Sequence, residues 1–177
     1  LLKKLTDLDI QCICPLHGPI IREGLKNYVN LYNIWSRYEP ESRGVVIAYA
    51  SIHGNTAQVA KKLAELLQEK GVRIRIHDLA REDMSKVLTD AFRYDRLVLA
   101  AASYDGGLFP CMQDFLYHLQ NKTYQNRQVA LIENGSWSPC AAKAMQNNLA
   151  AMKNIQILEP IITIHSTLKE SDINVLD

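Results

Sequence analysis

The chain of 177 residues carries almost no excess of charge: 20 Lys and Arg stand against 19 Asp and Glu, a net of +1. That balance offers no basic field for nucleic acid and no acidic tail, and no aromatic-interleaved basic patch replaces them. No apolar run approaches the roughly 20 residues of a membrane span, and no signal peptide is recognisable, so no membrane partner is expected. Cysteine is sparse. Cys12, Cys14, Cys111 and Cys140 show no disulfide-framework spacing, which points to a reducing, cytoplasmic setting. Cys12-x-Cys14 is not a CxxC and no second pair completes a zinc site, so all four thiols are expected to be buried and structural. The P-loop pattern GxxxxGK[ST] and the dinucleotide fingerprint GxGxxG are also missing, which removes the two commonest nucleotide signatures.

What is present is 47% apolar sequence, enough for one full core and a small extension. Leu1 at the start and a helix-like pattern running into Asp177 read as a piece of a longer chain. From Val45 onward, apolar strands alternate with helical patterns, the signature of a parallel sheet covered on both faces. Strands are expected at 45–50, 72–77, 97–102, 129–133 and 161–165. Those at 45–50, 97–102 and 129–132 are almost wholly apolar and belong in the centre. By contrast Val72-Arg73-Ile74-Arg75-Ile76-His77 alternates strictly, which suits an edge strand with one wetter face. Helices are expected at 57–69, 82–94, 110–120 and 141–152, with Gly71 closing the first and Pro110 opening the third. Right-handed crossovers then give an α/β doubly wound sandwich, a five-stranded parallel sheet of order 2-1-3-4-5, which is flavodoxin-like. Residues 1–44 fall outside this repeat. They hold a strand-like piece at 10–14, a helix with Leu25, Tyr28, Val29, Tyr32 and Trp35 on one stripe, and a polar linker at 38–44.

In such a sheet, ligands bind beyond the carboxyl ends of the strands, where the strand order reverses. The loop after the first strand, Ser51-Ile52-His53-Gly54-Asn55-Thr56, brings two hydroxyls and a glycine to the start of a helix. Free N–H groups there can hold a phosphate without any lysine, and Asn55 or Thr56 is expected to cap the helix. An ordinary strand-to-helix turn is the alternative for this loop alone. After the third strand comes Ser103-Tyr104-Asp105-Gly106-Gly107, and after the fourth Asn134-Gly135-Ser136-Trp137-Ser138. Three loops converging on one crevice fit a phosphorylated flat ring, with Tyr104 and Trp137 able to cover it.

These pieces together resemble the C-terminal part of a flavodiiron protein, or A-type flavoprotein. The matching segments are CPLHGP at 14–19, YEPE at 38–41, AYASIHGNT at 48–56, YDGGLFP at 104–110 and NGSWSPCAAKAM at 134–145. The resemblance covers essentially the whole chain. It implies that 1–44 are the tail of a metallo-β-lactamase-like diiron domain and its linker, and that 45–177 form a flavodoxin-like domain binding FMN. It also implies an FMN-phosphate loop of Ser51, His53, Gly54, Asn55 and Thr56, with Ile52 in backbone contact. Ser103, Tyr104, Asp105 and Gly106 would run along the isoalloxazine edge, and Gly135, Ser136 and Trp137 over its other side. A stretch often written Ser-Pro-Thr in the family is Ala101-Ala102-Ser103 here. The Asp105-Gly106 peptide is similar in place to the flavodoxin peptide that reorients on flavin reduction.

His17 matches the family's last iron-ligating histidine, but one histidine cannot hold two irons. The remaining ligands in the family lie upstream, in an HxExDH motif and further His and Asp residues. The resemblance therefore implies FMN electron transfer within these 177 residues, and a diiron oxygen or nitric oxide reductase only in a full-length protein. Electrons would come from a redox donor protein or an NAD(P)H-linked reductase, in a head-to-tail homodimer. Two other functions fit the residues: an NAD(P)H-dependent flavin or quinone reductase, and a flavin-free docking module. His77, His118 and His165 are expected to be structural or solvated.

Overall fold

A computed structural model describes residues 8–177. Helix α1 (Leu25–Ser36) precedes an alternating series: β1 (Ser42–Ala50), α2 (Asn55–Glu69), β2 (Ile74–Asp78), α3 (Met84–Arg93) and β3 (Tyr94–Tyr104). There follow β4 (Gly107–Leu108), α4 (Pro110–Asn121), β5 (Arg127–Asn134), α5 (Ala141–Ala150), β6 (Ile155–Ile164) and α6 (Glu170–Leu176). The long strands run parallel in the order β2-β1-β3-β5-β6, and the two-residue β4 pairs antiparallel with the end of β3. The expected 2-1-3-4-5 order of the parallel strands is therefore present, with one short strand added.

Alternation along the central strands builds two cores. Val46, Ala48 and Ala50 of β1 face α3, α4 and α5 together with Leu97, Leu99, Val129 and Leu131. Val45, Ile47 and Tyr49 face α2 and α6 together with Val98, Ala100, Ile132 and Ile164. A strand whose successive residues are all buried must have a helix layer on each side, and β1 is buried from Val45 to Ala50.

Several boundaries differ from expectation for local reasons. β1 begins at Ser42, inside the stretch read as linker, and a Cβ on Gly44 would lie 2.7 Å from Tyr94 Cδ1 and 2.8 Å from the Arg73 carbonyl oxygen. Only glycine lets the strand enter there, so the polar composition misled. β6 starts at Ile155 rather than Ile161, running through Glu159-Pro160 with a register shift against β5. Proline is admissible because β6 is an edge strand, where its missing N–H breaks no ladder. On β2, His77 departs from the wet face: it is 2% exposed, with Glu82 Oε2 at 2.9 Å from Nδ1 and Asp90 Oδ2 at 3.0 Å from Nε2. Its role is structural, pinning β2 to α3. The thiols differ from expectation too: Cys12 and Cys14 are exposed and Cys111 and Cys140 half-buried. Residues 12 and 14 belong to no sheet, only to a single bridge between Ile13 and Ile21, so nothing covers them.

Candidate functional site

The three central strands β1, β3 and β5 end side by side, and the loops that leave them enclose two adjoining recesses. One, of about 230 Å³, is lined by Ser51, Ile52, His53, Asn55, Thr56 and Ser103, with Gly135 and Ser136 opposite. The other, of about 440 Å³, is lined by Tyr104, Asp105, Gly106 and Trp137, and shares Ser103, Gly135 and Ser136 with the first. All the predicted loop residues except Gly54 and Gly107 line one recess or the other, and Gly54 borders a separate hollow beside Lys61 and Arg81. His17 is exposed before α1 and lines neither. Among the described residues, no group of three or more His, Cys, Asp or Glu side chains is placed to hold a metal ion.

The first loop folds back on itself through the Gly54 N–H, which donates to Ser51 Oγ at 3.1 Å. Gly54, at φ 90, is the N-cap of α2, and no side chain caps the helix; the expectation that Asn55 or Thr56 does so is corrected. A left-handed conformation at the cap favours glycine, and it turns the chain so that the first N–H groups of α2 stay free of side-chain acceptors. Thr56, 2% exposed, sits at the wall of the smaller recess.

The N-terminus of α5 is finished differently. Ser103 Oγ accepts from the Cys140 N–H at 2.9 Å and the Ala141 N–H at 3.2 Å, and buried Glu133 accepts from the Ala142 N–H at 2.9 Å. Its first donors are thus spent inside the protein, leaving α2 as the helix that presents donors to the site. Ser103 has both acceptor positions occupied, so what it can offer a ligand is its proton.

Tyr104 pairs with Gly107 and Ser103 with Leu108, which makes Asp105-Gly106 a two-residue hairpin. Both stand at positive φ, 47 and 70, the pattern of a type I′ turn. The Tyr104 ring meets Phe109 edge-on at 5.6 Å and is 42% exposed, while Trp137 is 94% exposed on the facing rim. Two aromatics left open across a glycine-walled hollow suit a flat ring lying between them. A Cβ on Gly135 would lie 3.0 Å from Pro139 Cα and 3.2 Å from Ser103 Oγ, so the narrow floor depends on that glycine.

Among the described residues, no Lys or Arg lines either recess. An anion there is held by backbone N–H groups and hydroxyls, as the α2 terminus and Ser51 and Thr56 provide. Ala102 and Asn134 line the smaller recess as well, and Ser166 does so with no place in the sequence reading. Asn134 donates to the Ser166 carbonyl at 2.9 Å and accepts from its N–H at 3.1 Å, bringing the loop after β6 into the wall. The signal for it is a serine just past the last strand, at the same sheet end as the other loops.

The flavodoxin family model matches residues 47–172, more than two thirds of the chain. An anaerobic nitric oxide reductase flavorubredoxin of Aeromonas hydrophila is 23% identical over 145 residues, which is 81% of this chain and 29% of that protein. Among solved structures, rubredoxin oxygen:oxidoreductase of Desulfovibrio gigas superposes with a TM-score of 0.87 at 20% identity, over 99% of this chain and 44% of that one. The flavodiiron protein of Giardia intestinalis does so with a TM-score of 0.88 at 16% identity, over the same 99% and 44%. The chain spans less than half the length of the curated relatives it matches. It belongs to the flavodoxin family, as a flavodoxin-like domain of the kind found in flavodiiron proteins and flavorubredoxins.

Proposed function

We propose that this chain is an FMN-binding electron-transfer module of a flavodiiron-type oxidoreductase. What carries the reading is the pairing of an uncapped α2 N-terminus with an adjoining recess rimmed by Tyr104 and Trp137. The phosphate would lie on the N–H groups of Asn55 and Thr56 with hydroxyls of Ser51 and Thr56 beside it. The ring would lie between Tyr104 and Trp137, with the Asp105-Gly106 turn along its edge and Ser103 as donor where the recesses meet. FMN, when bound, supplies one- and two-electron chemistry; the protein binds it, orients it and limits solvent at its faces. His53 supplies its backbone N–H to the loop and is no catalytic base.

Residues 1–44 would be the tail of a metallo-β-lactamase-like domain and 45–177 the FMN domain. In the longer protein, His17 would be one iron ligand of a diiron site whose other ligands lie outside these residues. A redox donor protein or NAD(P)H-linked reductase would supply the electrons, and a head-to-tail homodimer would set one subunit's FMN beside its partner's diiron site.

The test is a comparison of FMN with riboflavin by flavin fluorescence and visible spectroscopy. The chain should take up FMN, and replacing Asn55 and Thr56 with leucine should weaken FMN at least tenfold more than riboflavin, because only FMN loses phosphate contacts. Equal weakening of both would move the phosphate away from this loop. Absence of FMN uptake by the unaltered chain would leave a flavin-free docking module, and steady NAD(P)H oxidation by the isolated chain would favour a flavin or quinone reductase.

A further inference from the structure

Cys12 and Cys14 flank Ile13, whose N–H and carbonyl are both bonded to Ile21 at 2.9 Å. That pairing holds the segment extended, and alternate side chains of an extended segment share a side. The two Sγ atoms accordingly lie 3.7 Å apart, on two exposed residues. We propose that Cys12 and Cys14 form a redox-active dithiol that closes reversibly to an intramolecular disulfide by exchange with low-molecular-weight disulfides. Neither cysteine lines the flavin recesses, so the couple is independent of the flavin reading.

The step balances without a further oxidant. The Cys12 thiolate attacks one sulfur of the small disulfide, whose S–S bond breaks and releases one small thiol. Cys14 then gives up its proton and attacks Cys12 Sγ in the mixed disulfide, releasing the second small thiol. Two protein S–H bonds and one small-molecule S–S bond become one protein S–S bond and two small-molecule S–H bonds. The order follows from the pair itself: the hydrogen bond with Cys12, then the charge on Cys12, push the Cys14 thiol above its ordinary value. Cys14 keeps its proton while Cys12 attacks.

Bonding requires the sulfurs to close from 3.7 Å to about 2.05 Å. An isolated bridge can yield that movement where a full sheet ladder would resist it. A loop closed between residues two apart restrains little of the unfolded chain, so such a bond adds little stability. Exposed and strained disulfides are also the easily reduced ones. Both arguments make the bond a reversible switch rather than a structural staple.

The reduced chain is incubated with oxidised glutathione, alkylated, and mapped by peptide mass spectrometry. The unaltered chain should lose alkylation at both positions, with loss of two hydrogens and no retained glutathione, and should regain both thiols in reduced glutathione. Cys14→Ser should trap glutathione on Cys12, and Cys12→Ser should react several-fold more slowly. Full alkylation at both positions after treatment would overturn the proposal. So would a stable glutathione adduct on the unaltered chain, or disulfide-linked dimers in place of the ring.

Discussion

Tyr124 is the one buried side chain among the described residues whose polar atom finds no partner. Its ring is 1% exposed, packs edge-on against Phe92 at 5.2 Å and lies 5.7 Å from the Arg127 guanidinium carbon. Burial pushes its hydroxyl pKa upward, so it remains a neutral, unsatisfied donor. Tyr124→Phe keeps the ring contacts and deletes only the hydroxyl, so it should raise stability by about 1 kcal/mol, read as a higher urea midpoint at unchanged slope. A loss of stability would mean that a water reaches the hydroxyl. At the same scale, the site was legible where chemistry sits in one loop. Hydroxyls and glycines at 51–56 and 103–106 mark the two loops, and most of these residues line the two recesses. Ser103 shows the limit: its capping of α5, 37 residues on, depends on how β3 and α5 meet, and no local pattern records it.

The β2–α3 unit is held by carboxylates. Burial raises the Glu82 pKa, but hydrogen bonds from His77 and Lys86 outweigh it and set the net shift downward. Asp83 is lowered by hydrogen bonds from the side chain and backbone of Ser85, as the N-cap of α3. A carboxylate lowered in the folded state contributes stability that is present above its unfolded pKa and lost as pH falls through the folded one. The unit should therefore weaken on acidification below the ordinary carboxylate range, about pH 4, with the urea midpoint falling. Asp83→Ala should lower the urea midpoint at pH 7 and flatten part of that fall. An unchanged acid profile would show that Asp83 does not titrate with folding. Elements of this kind were legible as types and less so as limits. Apolar runs buried on both faces and the amphipathic helix at 57–69 need no tertiary information. His77 reads as wet in a strict alternation, and only the two carboxylates from α3 and the turn before it make burial tolerable.

At the scale of the molecule, the flavodoxin-like sheet and the segment before it are joined through one cation. Arg127, at the start of β5 and 3% exposed, donates to the carbonyls of Tyr38, Phe92, Tyr94, Gln125 and Asn126 at 2.6–3.1 Å. Among the described residues no carboxylate forms an ion pair with it, so its hydrogen bonds all go to carbonyl dipoles. Glu41 extends the join, accepting from Trp35 Nε1 at 2.7 Å and meeting Arg93 Nε at 3.3 Å. Tyr38 itself stands at φ 56, a conformation that a tyrosine adopts only when held. The chain leaving α1 is thus fixed to the opposite end of the sheet from the loops that enclose the recesses, and a domain attached there would inherit a defined orientation. Arg127→Met keeps most of the volume and strands several carbonyls, which should cost about 3–5 kcal/mol of stability. It should also open residues 37–41 to protease at concentrations that leave the unaltered chain intact. Glu41→Gln keeps one hydrogen-bonding oxygen and removes the charge facing Arg93, so its cost should stay below about 1 kcal/mol. If the two variants lose stability equally, the ion pair rather than the carbonyl cage holds the junction, and the orientation of anything before α1 depends on salt.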